Sequence, residues 1–269
     1  MRAVLAPLSL LVLASSVHAA EPVRLAAHRA IYDLSLVKGG GARGVEAAQG
    51  RIVIEFTGNP CEGYASKYRQ VTVLESGETG SKTADMRNAT FEDDAGKSFR
   101  FRTDTTSNGK SETVDGDAAT DPNGAIALRL KQPAPHRQSL PNGTLFPTAH
   151  MKRLIEAARA GETTLEAKVY DGSEDGRKVY DTLAVIGRRI EPGSNDGLEA
   201  ASQQEKLPRW PVTLSYFSRE RGEGTPLYTL SFEVFEDGVS RALRLDYGQF
   251  ALKGELTALE LLPAGDCQR

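Results

Sequence analysis

Residues 228–234, Tyr-Thr-Leu-Ser-Phe-Glu-Val, alternate apolar and polar side chains. Successive side chains of an extended chain point to opposite faces, so this alternation predicts a β-strand with one buried face and one wet face. The same period of two recurs along most of the chain after residue 27. Further examples are the segments 32–36, 52–57, 99–102, 126–130, 165–169, 212–216 and 243–247.

Short polar clusters separate these alternating segments. Asn108-Gly109 and Asp237-Gly238 are examples of pairs that supply the positive φ angles of tight hairpin turns. Strands joined so closely must pair antiparallel, because parallel pairs require long crossovers. About a dozen such strands are more than a flat twisted sheet readily holds. The sequence therefore predicts a mainly β protein whose long antiparallel sheet curls into an open barrel, or β-spiral, around one helix.

That helix is predicted over about residues 148–160, where the period of two breaks down. Thr148 is the expected N-cap and Gly161 the expected stop. The prolines from Pro133 to Pro147 predict an irregular connector ahead of the helix in place of a sheet strand. The apolar helical residues share one face, which is interpreted as core and not as a docking surface: Met151, Leu154, Ile155 and Ala158.

The composition of the 269-residue chain excludes several classes of protein. Hydrophobic and charged fractions of 39% and 26% are ordinary for a globular protein and argue against disorder or a multi-spanning membrane protein. The formal net charge of −3 argues against a general nucleic-acid binder. No convincing domain boundary interrupts the strand pattern, so residues 20–269 are interpreted as a single β-spiral domain.

The first residues are typical of a secretory signal peptide. Arg2 precedes an apolar run over residues 3–14, and small side chains precede a cleavage site between Ala19 and Ala20. The run is shorter than the roughly 20 apolar residues of a membrane-spanning anchor. We therefore expect cleavage of residues 1–19, a periplasmic location and no transmembrane segment in the mature chain.

Cys61 and Cys267 are the two cysteines of the sequence. An even pair in an exported chain favours a disulfide, because the compartment is oxidising. Two buried free thiols or an intermolecular bond are the alternatives. An internal bridge would tie the last residues of the chain to the early loop 58–63.

No common catalytic or metal-binding motif is present in the sequence. The histidines outside the signal peptide, His28, His136 and His150, lack partners at metal-ligand spacing. A Gly-x-Ser-x-Gly elbow, a Walker loop and a dinucleotide fingerprint are all missing, and the glycine-rich segment 39–44 is interpreted as a flexible hairpin. We therefore expect no catalytic residues, no metal and no cofactor.

The strongest metal candidate is the turn from Asp171 to Gly176, which reads Asp-x-Ser-x-Asp-Gly like the first half of an EF-hand loop. Thr182 stands at the twelfth position, where that loop needs a bidentate Glu, so the segment is interpreted as a polar hairpin turn. Some aromatic residues could line a pocket, although each alone is more typical of a core: Tyr64, Tyr68, Trp210 and Tyr216.

Several longer sequence segments identify a family more specifically than the composition does. In their order they resemble the cell-envelope integrity protein EipB family of alphaproteobacteria, over nearly the whole mature chain. The segments that carry the resemblance are Ala-His-Arg-Ala-Ile-Tyr-Asp-Leu at 27–34, Gly-Asn-Pro-Cys-Glu-Gly-Tyr at 58–64, Leu-Phe-Pro-Thr at 145–148, residues 170–181 and the terminal Cys267.

This resemblance implies a periplasmic protein whose sheet winds into a broad open spiral around a helix, with a disulfide matching Cys61–Cys267. It implies a part in maintaining the envelope and no established catalytic activity. The implied shape is similar to that of the lipoprotein carriers of the Lol system, but shape alone does not transfer function.

The sequence thus predicts a non-enzymatic periplasmic protein that supports cell-envelope integrity by binding an envelope component or a partner protein. An alternative is a carrier of lipid or lipoprotein acyl chains in the concave sheet. A hydrolase with an unconventional site is a third hypothesis, for which the sequence offers no residues. The binding residues and the partner stay open, as does the question whether the helix fills the hollow.

Overall fold

The computed structural model describes residues 21–39, 44–78, 80–194, 199–218, 224–265 and Cys267. The signal peptide and its cleavage site, predicted over residues 1–20, lie outside the described residues, as does most of the glycine-rich segment 39–44.

The described chain is built from β-strands, one longer helix and one short 3-10 helix at Glu199–Gln204. The first strands are β1 (His28–Lys38), β2 (Ala47–Asn59), β3 (Gly63–Ser76), β4 (Gly80–Glu92), β5 (Ser98–Ser107), β6 (Lys110–Thr120), β7 (Ile126–Gln132), β8 (His136–Leu140) and β9 (Thr144–Leu145). Helix α1 (Pro147–Arg159) comes next. The remaining strands are β10 (Thr164–Val169), β11 (Tyr180–Ile186), β12 (Arg209–Ser218), β13 (Tyr228–Phe235), β14 (Ser240–Asp246) and β15 (Ala251–Leu261).

All fifteen of these strands belong to one sheet, and the sheet nearly closes on itself. Its order is β8-β7-β6-β5-β4-β3-β2-β1-β15-β14-β13-β12-β11-β10-β9, so the first and last strands of the chain pair in the middle. The two edges, β8 and β9, follow each other in sequence and are joined by residues 141–143. That link spans at most about 14 Å, so the edges must lie close together. The prediction of a curled, barrel-like antiparallel sheet is confirmed.

The gap between β8 and β9, called the seam below, is where the antiparallel pattern ends. β9 pairs with β10 in parallel, and α1 forms the crossover between them. Part of the seam is bridged by the side-chain amide of Gln138, which donates to the carbonyl oxygen of Arg177 at 2.8 Å.

The predicted irregular connector around residues 133–147 is in fact partly strand. β8 lies between Pro135 and Pro141, and β9 follows at Thr144–Leu145. Proline is tolerated at these positions because both strands are edges of the sheet, where an amide donor is not needed on the outer side.

The inner faces of the strands form two hydrophobic clusters. The larger cluster joins α1 with β1, β2 and β10–β15, and Leu154, Ile155 and Trp210 are among its buried residues. The smaller cluster lies on β5–β7, where the rings of Phe99 and Phe146 stack 5.1 Å apart. α1 therefore packs into the larger cluster only, and Phe146 and Tyr170 complete the smaller one.

The predicted N-cap of the helix was wrong. The N-cap lies two residues earlier than expected, at Phe146, which provides no capping side chain, and Pro147 is the first helical residue. The amides of Thr148 and Ala149 instead donate to the two carboxylate oxygens of Glu92 on β4, at 2.7 and 2.8 Å. A buried acid from a distant strand satisfies the first turn, and Thr148 lies inside it. The predicted stop holds, since Gly161 follows the helix with φ +76°.

Candidate functional site

The interior of the barrel is not filled by α1. Two connected lobes of empty space, about 370 and 520 Å³, lie between the helix and the sheet. The floor lobe, the smaller one, contacts Pro147, Thr148 and Met151 of the helix. The rim lobe extends to Leu227 and Tyr228 at the start of β13. The residues that line both lobes are Tyr32, Ile54, Tyr68, Met86, Met151, Asp171, Ser173 and Ser240.

Most of the cavity wall is apolar and comes from the alternating inner positions of the strands. β2 contributes Ile54, β4 contributes Met86, and Leu230 of β13 and Leu243 of β14 line the rim lobe. Between them, the Tyr32 hydroxyl donates to the carbonyl oxygen of Ser240 at 2.6 Å and ties β1 to β14 across β15. A largely apolar cavity of this size with a few placed polar groups is the usual form of a small-molecule site.

One wall of the cavity is not a strand but the link between β10 and β11, residues 170–179, called the inner segment below. Its first residue, Tyr170, is fully buried against Phe99 and Phe101, and its hydroxyl donates to the carbonyl oxygen of Gly176 at 2.7 Å. Gly172 has φ +72° and lies so close to Phe101 that a Cβ atom would come within 2.4 Å of the ring. Only glycine fits both requirements.

The run from Asp171 to Gly176 is a polar hairpin turn, as predicted, because it joins the antiparallel pair β10–β11 and the Gly176 amide donates to the carbonyl oxygen of Ser173. Its backbone passes along the inside of the barrel, and Asp171, Ser173 and Glu174 line the cavity. The Ser173 amide donates to the Asp171 carboxylate at 2.9 Å, and the Tyr180 hydroxyl donates to Glu174 at 2.9 Å. The segment therefore presents the carboxylates of Asp171 and Glu174 to the cavity and the ring of Tyr170 to the core.

Burial changes the ionisation of the polar groups in the wall. It raises the pKa of Asp171 and of Asp237 above the usual range of a carboxyl group. It lowers the pKa of His28, whose Nδ1 lies 2.8 Å from the carbonyl oxygen of Ala26. The described residues that line the two lobes include three acids, Asp171, Glu174 and Asp237, and no lysine or arginine.

A row of aromatic rings continues from the rim lobe across neighbouring strands. Tyr216 and Tyr228 are direct partners on β12 and β13, and their rings stack with centroids 4.6 Å apart. Tyr180 meets Tyr216 edge-on at 5.8 Å, and Tyr247 lies 6.1 Å beyond Tyr228. This aromatic row forms one side of the rim lobe, since Tyr180 and Tyr228 line it directly.

The disulfide expected from the cysteine count is present between Cys61 and Cys267. Asn59, almost fully buried, organises the turn beside it by accepting the amides of Cys61 and Glu62 at 2.8 and 3.0 Å. Its side-chain amide donates to the carbonyl oxygen of Gly265 at 3.1 Å. The C-terminal segment is thus held against the β2–β3 turn at the helix end of the barrel.

The aromatic residues and histidines singled out from the sequence lie at separate places in the fold. Of the aromatic pocket candidates, Tyr68 lines the cavity, Tyr216 stacks behind Tyr228, and Tyr64 and Trp210 are core. His28 reaches the floor lobe, and His136 lies on β8, far along the sheet order. His150 is buried on α1, and burial lowers its pKa to about 4.

Sequence reasoning missed most of the cavity, including Tyr32, Met86 and Ser240. The alternation places Tyr32 on an inner face, but nothing local marks it as cavity and not core, and Met86 and Ser240 lie outside the alternating segments. Within the described ranges, no group of three or more His, Cys, Asp or Glu side chains is arranged to hold a metal ion. Nor does any helix there have the length and apolar character needed to cross a membrane.

The fold and the cavity define a β-barrel-like protein with a mostly apolar internal cavity. Comparison with known proteins agrees with that class. The profile of the EipB-like family matches residues 19–263. The cell envelope integrity protein EipB of Brucella abortus (strain 2308) is 36% identical over 254 residues, which are 94% of this chain and 90% of that protein.

A solved structure gives the same result. The crystal structure of a beta-barrel-like protein of a domain of unknown function from Brucella abortus superposes with a TM-score of 0.82. It is 36% identical, and the match covers 90% of this chain and 100% of that one. The chain belongs to the EipB-like family.

Proposed function

We propose that this protein supports cell-envelope integrity from the periplasm, without catalysis, by holding an apolar envelope component such as a lipid acyl chain inside the barrel. The observation that carries the proposal is the two-lobed cavity that α1 leaves open. Each lobe falls within the roughly 300–1,000 Å³ typical of small-molecule sites. The name of the Brucella relative supports the envelope role. The disulfide supports an oxidising compartment, in agreement with the export signal predicted from the sequence.

The geometry favours an apolar chain over a polar solute. Methionine and aliphatic side chains such as Met86, Met151 and Ile54 line both lobes, and flexible methionines adapt to chains of different shape. The side chains that line an empty apolar cavity lack van der Waals contacts on one side, and a bound hydrocarbon chain would supply them. Burial of each methylene group of such a chain contributes about 0.8 kcal/mol.

Blocking the cavity tests this proposal. Met86 points inward from β4 and is half-buried, while its neighbour Arg87 points outward and is exposed. Met86→Trp should fill the space, and Arg87→Trp is a matched control with the same new side chain outside the barrel. We expect the unmodified protein and the control to bind the apolar fluorophore N-phenyl-1-naphthylamine, and Met86→Trp to lose this binding at an unchanged melting temperature.

The cellular arm of the test uses the same pair. Deletion of the gene should sensitise cells to detergents and β-lactams, and Arg87→Trp should restore resistance while Met86→Trp should not. Equal rescue by both variants would show that the envelope role does not need the cavity. Unchanged sensitivity after deletion would contradict the envelope role itself.

A further inference from the structure

The two lobes of the cavity differ in charge from an ordinary lipid-binding pocket. Among the residues that the structure describes, three acids line them and no lysine or arginine does. Glu174 is compensated, because Lys178 forms an ion pair with it. Asp237 has His28 beside it. The charge of Asp237 raises the pKa of the His28 imidazole, although burial lowers that pKa by more. Asp171 therefore stands out, since it forms no ion pair with any residue that the structure describes.

Asp171 also lies among aromatic rings. Burial is the main reason why the pKa values of Tyr170, Tyr216, Tyr180 and Tyr228 are raised. The nearby charge of Asp171 raises all four further. Tyr180 and Tyr228 line the rim lobe together with it. Aromatic faces around a carboxylate attract cations, and such cages are the common means of binding quaternary ammonium groups.

We propose that the ligand of this cavity is a long-chain amphiphile with a cationic amine or quaternary ammonium head. The head lies between the Asp171 carboxylate and the rings of Tyr180 and Tyr228, and the chain runs along Met86 and Met151. This inference rests on the proposed function, because it names the head group of the molecule that the apolar cavity would hold.

The charge of the wall argues against the other kinds of head group. An anionic head would stand beside Asp171 in a poorly hydrated space, where repulsion between like charges is weakly screened. A neutral sugar head can donate hydroxyl hydrogen bonds to the carboxylate but brings no charge to offset it. A cationic head supplies the opposite charge that Asp171 lacks among the described residues, so the carboxylate is offset without a protein partner.

Three amphiphiles with the same dodecyl chain test the head-group preference. Dodecyltrimethylammonium, dodecyl maltoside and dodecanoate, each below its critical micelle concentration, are used to displace N-phenyl-1-naphthylamine from the full-length mature protein at pH 7. We expect the cationic amphiphile to bind about tenfold more tightly than the anionic one, the size typical of a cation held by aromatic rings and a charge.

Substitutions test whether the Asp171 carboxylate and the rings of Tyr180 and Tyr228, together called the cage, cause this preference. Asp171→Asn keeps the acceptor for the Ser173 amide and should lower affinity for the cationic amphiphile by about tenfold, with affinity for dodecyl maltoside unchanged. Asp175→Asn is the matched control, because Asp175 belongs to the same segment but is exposed and does not line the cavity. Tyr228→Phe should retain the preference, whereas Tyr228→Leu should reduce it.

The outcomes separate this inference from the proposed function. Equal displacement by all three amphiphiles, or a preference for dodecanoate, would overturn the cationic head and leave the apolar site standing. A cationic preference that survives Asp171→Asn would overturn the assignment to this cage. If the fluorophore does not bind the unmodified protein at all, the proposed function fails together with the inference.

Discussion

The Cα atoms of Cys61 and Cys267 lie 5.7 Å apart although 206 positions separate them in sequence. Cys61 lies in the turn between β2 and β3, and Cys267 follows the last strand. Because β15 pairs with β1 and β1 pairs with β2, the chain end must cross only one strand to reach that turn. The bond therefore fastens the middle of the sheet, where the two ends of the chain meet.

Removal of this bond should destabilise the protein. Closure of a loop of 206 residues contributes about 5 kcal/mol in the chain-entropy treatment. Cys61→Ser and Cys267→Ser should each lower the free energy of unfolding by up to that amount, measured by urea denaturation. The double variant should be no less stable than either single one, since all three lose the same bond. Additive losses would indicate a separate role of one thiol.

The buried cap of α1 should make stability depend on pH. Burial raises the pKa of Glu92 to about 7, from an ordinary 4.5, in spite of the amide hydrogen bonds that lower it. The folded state then binds more protons than the unfolded state between pH 4.5 and 7, so the free energy of unfolding falls as pH rises through this range. The fall due to Glu92 amounts to about 3 kcal/mol.

Glu92→Gln cannot titrate and should lack that part of the pH dependence in urea denaturation at pH 5 and pH 8. Glu55→Gln is a suitable control, because Glu55 is a strand acid whose Lys67 ion pair is exposed outside the barrel. Identical slopes for the unmodified protein and Glu92→Gln would mean that Glu92 is ionised in the folded state at both pH values.

Gly172→Ala should damage the inner segment. The substitution places a Cβ atom 2.4 Å from the Phe101 ring at φ +72°, and strain and overpacking together should cost about 3 kcal/mol or more. Gly109→Ala is the control, because it has a similar φ of +79° with no atom within 4 Å. That control should cost about 1 kcal/mol, the price of the backbone conformation alone. Equal losses would show that the inner segment moves away from Phe101 without penalty.

The tyrosines should resist ionisation while the protein is folded. Burial raises the pKa of all eight. Their folded pKa values exceed the unfolded value of about 10, so this contribution to stability is present below pH 10 and is lost as the pH rises above it. Absorbance at 295 nm should show little tyrosinate at pH 10.5 in the folded protein and extensive ionisation in guanidinium. A normal titration in the folded state would contradict the buried aromatic row.

Several features of the fold follow from local patterns. Residues such as Tyr228, Leu230 and Phe232 alternate with polar ones, and this period of two correctly predicts strands with one inner face. The helix was predicted within one residue at each end, because its apolar spacing of three and four is incompatible with a strand. The cysteine pair was predicted by count and compartment, without any knowledge of which strands lie side by side.

The candidate site was mostly hidden from such patterns. The run from Asp171 to Gly176 has the composition of an exposed turn, yet Asp171 and Ser173 line the cavity because Tyr170 anchors the run in the core of β5–β7. In the sequence Glu92 belongs to the polar turn cluster 92–96, but its carboxylate caps a helix that starts 55 positions later, at Pro147.

Period and composition thus predict the β class and the helix, and the cysteine count favours the disulfide, because each depends on neighbours in sequence or on the compartment alone. The seam, the cap of α1 and the cavity depend on which inner faces meet across the barrel. Those contacts join positions far apart in the chain, such as Tyr32 and Ser240, and only the closed sheet brings them together. Side-chain alternation specifies the face of a strand, whereas the space between faces is set by the curvature of the whole sheet.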